Sequence, residues 1–262
     1  MEILENLAKN DQRIKIINNA NNYGLLYSRG IGIINCRGEF LMNLDPDDEI
    51  RGAKSLEFLY YKAKNLNIDL ISFAALFKSN NKIIIKCSNY DKISTQPKVL
   101  ESAFNSNYIL NDFLIWNKLI KKCLYLKVYD LFKSKIYGKK WNYHEDNIWS
   151  ILLNKYAKSM LCVNKLIYIY NENKDSLMKK RYDIMELNNI LYRHEMYKDI
   201  FKTKEEEKYL LPEYFEIISF IDANNIFYDL IKNNNIIRNK LIKIFTLNTI
   251  LFLRNFAKYL FL

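Results

Sequence analysis

Over residues 51–66, apolar side chains recur at Leu56, Leu59, Tyr60 and Ala63. That is the i, i+3, i+4, i+7 spacing of one helix face, and it predicts an amphipathic helix. Short apolar runs surround it: "RIKII" (13–17), "EFLMNL" (39–44), "DLISFAAL" (69–76) and "KIIIKC" (82–87). Each has strand length and is rich in strand-favouring residues, so each is a predicted strand. Residues 2–9 read as the end of a helix. Residues 22–36 are mostly apolar and carry Gly24, Gly30 and Gly32. A helix there can pack close to a sheet or ligand, because glycine lets backbones approach. Helical patterning returns over about 110–126. It returns again after "HED" (144–146), where Ile148, Trp149, Leu152, Leu153 and Tyr156 share a side. "MLCVNKLIYIY" (160–170) is strand-like, and from about 175 onward the pattern is helical, with Pro212 marking a helix start.

Helices and strands thus alternate through the first part of the chain. That order predicts an α/β fold whose sheet is largely parallel. A natural division is 1–175 for the α/β domain and 176–262 for a helical C-terminal extension. The sequence has no internal repeat and no Gly/Ser linker.

Composition narrows the function. The chain has 262 residues, and half are hydrophobic, enough for a proper core. The net charge is +11, which taken alone points to an anionic partner. The lysines, however, are scattered among Glu and Asp rather than massed in a tract, so no specific nucleic-acid partner is expected. Cys36, Cys87, Cys123 and Cys162 form no CxxC pair, and only His144 and His194 accompany them. A zinc site is therefore not expected, and each Cys reads as a small core hydrophobe in a reducing compartment. The N-terminal "MEILENLAKNDQR" lacks the apolar region of a signal peptide. No stretch reaches the roughly 18 apolar residues of a membrane span. A cytoplasmic location follows as the expectation.

The candidate chemistry lies in "FLMNLDPDDEI" (40–50), where a predicted strand runs into Asp45, Asp47 and Asp48. Ligands of open α/β sheets bind beyond strand C-termini. Carboxylates placed there suit Mg²⁺ or Mn²⁺, hard cations that share oxygen ligands with substrate phosphates. Pro46 stiffens the turn. In an extended D-x-D, one carboxylate can meet a ribose or sugar while the other meets the metal. The plainer alternative makes Asp48 a helix N-cap ahead of "EIRGAKSLEF". That accounts for one aspartate and not for three.

At this point the residues resemble a known family. "NDQRIKIINNANNYGLLYSRGIGIINCRGEFLMNLDPDDEI" is similar to the N-terminal pattern of the family 2 glycosyltransferases of GT-A fold. "IWNKLIKKCLYL" (115–126) resembles that family's W-N-K-L segment. "WNYHEDNIWSILLNKYAKSMLCVNKLIYIYN" resembles its E-D motif with the helix and strand that follow. The likeness covers about residues 1–175. The usual N-terminal strand-helix-strand, with its base-binding Asp, has no counterpart, and "SRG" replaces A-R-N.

The resemblance implies a GT-A-like (Rossmann-like) mixed sheet flanked by helices. It implies transfer of a sugar from a nucleotide-sugar donor to a hydroxyl acceptor on a glycan, a lipid-linked glycan or a protein, with inversion and with Mn²⁺ or Mg²⁺. By motif match, Asp45 and Asp47 hold metal and donor, and Asp48 supports them. Asp146 is the general base, with Glu145 beside it; Arg29 lies near the diphosphate, and Lys118 faces phosphate or acceptor. Each has a plainer alternative: a helix N-cap for Glu145–Asp146, a surface salt bridge for Arg29, a solvated helix lysine for Lys118. Trp116 and Trp149 can stack on sugar rings, with core packing as the alternative. The missing strands leave room for a partner chain that completes the sheet, and for a non-catalytic GT-A relative acting as a subunit or binding protein. The basic C-terminal stretch, with Arg238, Lys240, Lys243, Arg254 and Lys258, suits either association with an anionic membrane surface or packing against the catalytic domain.

Overall fold

A computed structural model describes residues 2–78, 82–83, 91–100, 114–137, 139–141, 145–172 and 184–201. The chain divides into two compact units. One comprises residues 1–103 and 110–172, the other residues 104–109 and 173–262.

The first unit opens with α1 (Glu2–Asn10) and α2 (Leu25–Asn35), followed by β1 (Phe40–Met42), β2 (Glu49–Ile50), α3 (Ser55–Asn65) and β3 (Leu70–Phe77). Then come β4 (Lys82–Ile83), β5 (Ile93–Thr95), β6 (Lys118–Lys121), α4 (Lys122–Ile136), α5 (Glu145–Tyr156) and β7 (Ser159–Tyr170). The sheet runs β1-β6-β3-β7-β2, with β4 beside β3 and β5 beside β7. The second unit contributes α6 (Ile184–Ile200), where Met196 and Tyr197 are buried. Pro212, Cys87 and the basic C-terminal stretch lie outside the described residues.

The sheet is mixed, not largely parallel. Only β3 and β7 pair in parallel among the described strands; β1–β6, β3–β6, β3–β4, β2–β7 and β5–β7 are antiparallel. Parallel neighbours require a long crossover. Between β3 and β7 the chain passes through α4 and α5, which supply one. Three other expectations need correction. "RIKII" is irregular and exposed except at the half-buried Ile16, with no ladder partner among the described residues. The helix expected over 110–126 contains β6, and its helical part, α4, starts only at Lys122. Leu119 and Ile120 are both buried because β6 lies between β1 and β3. A strand buried on both faces has no alternation to separate it from a helix. In α3, Leu59 and Ala63 are buried, whereas Leu56 is 49% and Tyr60 41% exposed. The helix lays a narrow i, i+4 stripe on the sheet rather than a broad face.

Two apolar layers position the site. One is the sheet core, where Leu59, Phe73, Trp116, Leu161 and Tyr168 pack together. The other lies among α2, α4 and α5, around the fully buried Trp149. Its ring centroid is 4.8 Å from Tyr125, 4.7 Å from Phe132 and 5.9 Å from Tyr129. Gly30 lets α2 meet this layer: a Cβ on it would lie 2.3 Å from the Tyr129 ring. Gly24, at φ +84°, starts α2 and forms a bridge with Trp141; a Cβ there would meet the Trp141 backbone at 2.5 Å. The start of α2 is thereby pinned beside the segment that leads into α5. Cysteines do not fill these layers, as Cys36 and Cys123 are exposed and Cys162 is half-buried. Cys36 ends α2 and Cys123 sits in the first turn of α4, positions that face solvent.

Candidate active site

The site forms where β1 ends, where α2 crosses and where α5 begins. After Met42, the Asn43 amide donates to the Tyr125 hydroxyl at 2.9 Å. The chain then turns, and the Asp48 N–H donates to the Asp45 carbonyl at 3.1 Å. This turn gives the three aspartates three environments: Asp45 is half-buried, Asp47 exposed and Asp48 buried.

Asp48 is not a helix N-cap. It is followed by β2, and α3 begins only at Ser55. Its carboxylate accepts from the Tyr168 hydroxyl at 2.6 Å and from the Asn171 N–H at 2.8 Å. Burial pushes its pKa up, and these two bonds work against that push. Tyr168 and Asn171 lie in the strand segment that follows the E-D pair, and the sequence singles out neither of them. Tyr168 reads in the sequence as one more apolar residue of a strand, and Asn171 as the residue after it.

Arg29 joins the two acidic motifs. From the middle of α2 its guanidinium donates to Asp45 at 2.9 Å and to Asp146 at 2.9 Å, and it lies 3.4 Å from Glu145. Its side chain is only 12% exposed, so the surface-salt-bridge reading is replaced by a buried hub. Burial alone would lower its pKa, but Asp146, Glu145 and Asp45 together outweigh that and hold it above its usual value. Glu145 and Asp146 occupy the first turn of α5. They lie inside the helix rather than at its N-cap, in a turn where the partial positive charge of a helix N-terminus favours carboxylates. Glu145 is buried, and burial with the neighbouring Asp146 charge pushes its pKa well above the ordinary range, with Arg29 opposing. It holds a proton more readily than an ordinary glutamate. Burial likewise raises Asp45, against Arg29. Asp45, Glu145 and Asp146 thus face one guanidinium, and the cluster carries excess negative charge.

The remaining candidates fall elsewhere. Lys118 is not a solvated helix lysine: it lies on β6, fully buried, and its ammonium bonds to the Leu114 carbonyl and to Asn117. It offers no exposed surface to phosphate or acceptor. Trp116 is a core side chain stacked on Tyr168 at 4.6 Å, and Trp149 is the centre of the helical layer. Among the described residues, no three His, Cys, Asp or Glu side chains form a closed metal cage. Magnesium and manganese sites need no such cage, because one or two carboxylates and the substrate's phosphates suffice. An exposed Asp47, two residues from the half-buried Asp45, fits that pattern.

Comparison with known proteins gives likenesses of sequence and of fold. Residues 1–111 match the model of glycosyl transferase family 2. That match covers less than half of the chain. Beyond it, the chain is 25% identical over 183 residues to the uncharacterized glycosyltransferase EpsJ of Bacillus subtilis, covering 69% of this chain and 51% of that protein. It is 22% identical over 201 residues to the glycosyltransferase GlyG of Streptococcus pneumoniae, covering 72% of this chain and 62% of GlyG. The chain therefore spans about half to three fifths of these curated relatives. Its fold matches a crystal structure of S. aureus TarS 1-349 in complex with UDP-GlcNAc, at TM-score 0.61 and 14% identity over 93% of this chain and 66% of that one. The matched segment lies at the start of a GT-A-like fold, and it contains Arg29 and all three aspartates of the turn.

Proposed function

We propose that this chain is a glycosyltransferase that moves a sugar from a nucleoside-diphosphate donor to a hydroxyl acceptor with inversion. The observation that carries this reading is the Arg29 hub. It brings Asp45 of the L-D-P-D-D turn and Asp146 of the E-D pair onto one guanidinium, although they are a hundred residues apart in sequence.

In this reading the acceptor oxygen attacks the anomeric carbon as its proton passes to Asp146, a general base at a helix N-terminus. The bond between the anomeric carbon and the diphosphate oxygen breaks, and the nucleoside diphosphate leaves with the electron pair. One displacement inverts the centre, so no covalent enzyme intermediate is needed. Glu145 sits beside Asp146 in the same turn, and burial with the Asp146 charge pushes its pKa up against the pull of Arg29. Arg29 positions Asp146 relative to the turn and offers positive charge where the diphosphate departs. Asp47 with Asp45 would hold Mn²⁺ or Mg²⁺ together with the donor phosphates. Such an ion supplies charge stabilisation to the leaving diphosphate. Lys118 has no part in this scheme, because it is buried.

The acceptor class is a hydroxyl on a glycan, a lipid-linked glycan or a protein. The TarS match is a complex with UDP-GlcNAc, which makes uridine nucleotides the first donors to try. Two variants test the roles. Asp47→Ala should abolish metal-dependent donor binding. Asp146→Asn should keep donor binding and lose transfer. Metal-dependent binding that survives in Asp47→Ala sinks the metal assignment, and full transfer by Asp146→Asn sinks the base.

A further inference from the structure

The Asp45–Asp48 turn is tied down by the end of β7. The Tyr168 hydroxyl accepts from the Asp45 N–H at 3.2 Å and donates to the Asp48 carboxylate at 2.6 Å. The Asn171 N–H donates to the other Asp48 oxygen at 2.8 Å. The Asn171 side-chain amide donates to the Asp47 carbonyl at 2.7 Å and to Glu49 at 3.1 Å. Every aspartate of the turn is thus held by one of two residues more than a hundred positions away. The anchor itself is rigid. Tyr168 is fully buried, and Trp116 stacks on its ring at 4.6 Å.

From this geometry we infer that Tyr168 and Asn171 are positioning residues that set the cation- and diphosphate-binding turn, with Asp48 as the buried tether rather than a ligand. The inference rests on the donor-site reading above and extends it to two residues to which that reading gives no role. The chemistry follows from what each bond fixes. A hard cation gathers its oxygens within a narrow distance range, so the turn must hold Asp45 and Asp47 in register before the cation arrives. Partners that orient metal-binding carboxylates from behind contribute strongly to affinity: their loss typically costs 10–100-fold. Tyr168 fixes the amide of Asp45 and Asn171 fixes the carbonyl of Asp47, so they hold the two flanks of Pro46. Asp48 spends its carboxylate on this task, which explains why a third acid follows the D-x-D.

The test uses the full chain with two readouts. Backbone hydrogen–deuterium exchange over residues 43–50 reports the clamp without any ligand. Loss of the free Mn²⁺ electron-paramagnetic-resonance signal on titration reports binding, with Mn²⁺ alone and with Mn²⁺ plus UDP. Tyr168→Phe removes one hydroxyl, and Asn171→Ala removes the side-chain amide. Ile136→Val, at the end of α4 far from Tyr125, serves as a control that loosens the core away from the turn. The expected result is faster exchange confined to 43–50 in both clamp variants, with Mn²⁺ affinity about tenfold weaker. The control should keep wild-type exchange there and wild-type affinity. Unchanged exchange over 43–50 overturns the clamp. Faster exchange with unchanged Mn²⁺ affinity, or equal loss of affinity in the control, overturns the positioning role. Wild-type protein that takes up no Mn²⁺ overturns the donor-site reading itself, and the exchange data then show separately whether the turn is clamped.

Discussion

Replacing Arg29 by Met tests the hub that joins the two acidic motifs. Methionine keeps most of the apolar stem and removes the charge. The structure sets the size of the effect. At 2.9 Å and an effective dielectric of about 20, one Arg29–carboxylate contact is worth roughly 6 kcal/mol before desolvation. Burying the guanidinium takes back several kcal/mol, and removing one partner of a buried pair typically costs about 3–5 kcal/mol net. In a unit of this size, a loss that large lowers Tm by on the order of 10 °C. The effect must also depend on pH. Without Arg29, burial and mutual repulsion raise the folded-state pKa values of Asp45 and Glu145 further. A raised carboxyl pKa gives stability that is present below the unfolded value and lost as pH rises through the folded value. Arg29→Met should therefore lose less stability near pH 5 than at pH 8. Differential scanning calorimetry of both proteins across that range is the assay. A Tm loss of under 2 °C at pH 8, or an equal loss at both pH values, refutes the electrostatic account of the hub.

Other expectations follow from single contacts. Glu145→Gln should flatten the fall in Tm that wild type shows as pH rises above about 4.5, because burial raises the Glu145 pKa and the amide has no proton to lose; thermal melts at pH 5 and pH 8 check it. Gly30→Ala should destabilise by about 1–3 kcal/mol, since its Cβ runs into Tyr129. Gly32→Ala, on the same helix with nothing within 4 Å, should be neutral or stabilising by up to ~1 kcal/mol. Chemical denaturation of the pair decides this, and equal effects would count against the α2–α4 contact. Trp149→Ala should cost about 3–5 kcal/mol, through the cavity it leaves among Tyr125, Tyr129 and Phe132.

The sequence discloses those parts of the fold that local pattern controls. β3 is legible because a nearly continuous apolar run of that length suits a strand buried on both faces, and β7 because its long stretch is rich in strand-favouring residues although Asn164 and Lys165 interrupt it. α5 is legible because Ile148, Trp149, Leu152 and Leu153 form one buried side at helical spacing. β6 is hidden for the converse reason: "KLIK" is a short apolar run followed at once by a true helix, so its periodicity merges with that of α4. "RIKII" shows the opposite failure, as strand propensity does not make a strand without a neighbour to pair with. In the site, the acidic motifs and Arg29 stand out by order and spacing. Their joining through one guanidinium does not, since it depends on Gly24 and Trp141 pinning α2 beside α5. Tyr168 and Asn171 are invisible locally, because their role comes from hydrogen bonds across more than a hundred residues. Lys118 is misread as solvated for the same reason that β6 is missed.

The central claim is a metal-dependent nucleotide-sugar site at the Asp45–Asp48 turn. Isothermal titration of the full chain with UDP, GDP and dTDP, each with and without Mn²⁺, addresses it most directly. The account predicts that one nucleotide binds in the presence of Mn²⁺ and not in its absence. Failure of all three to bind with Mn²⁺ present, or binding that Mn²⁺ leaves unchanged, contradicts it.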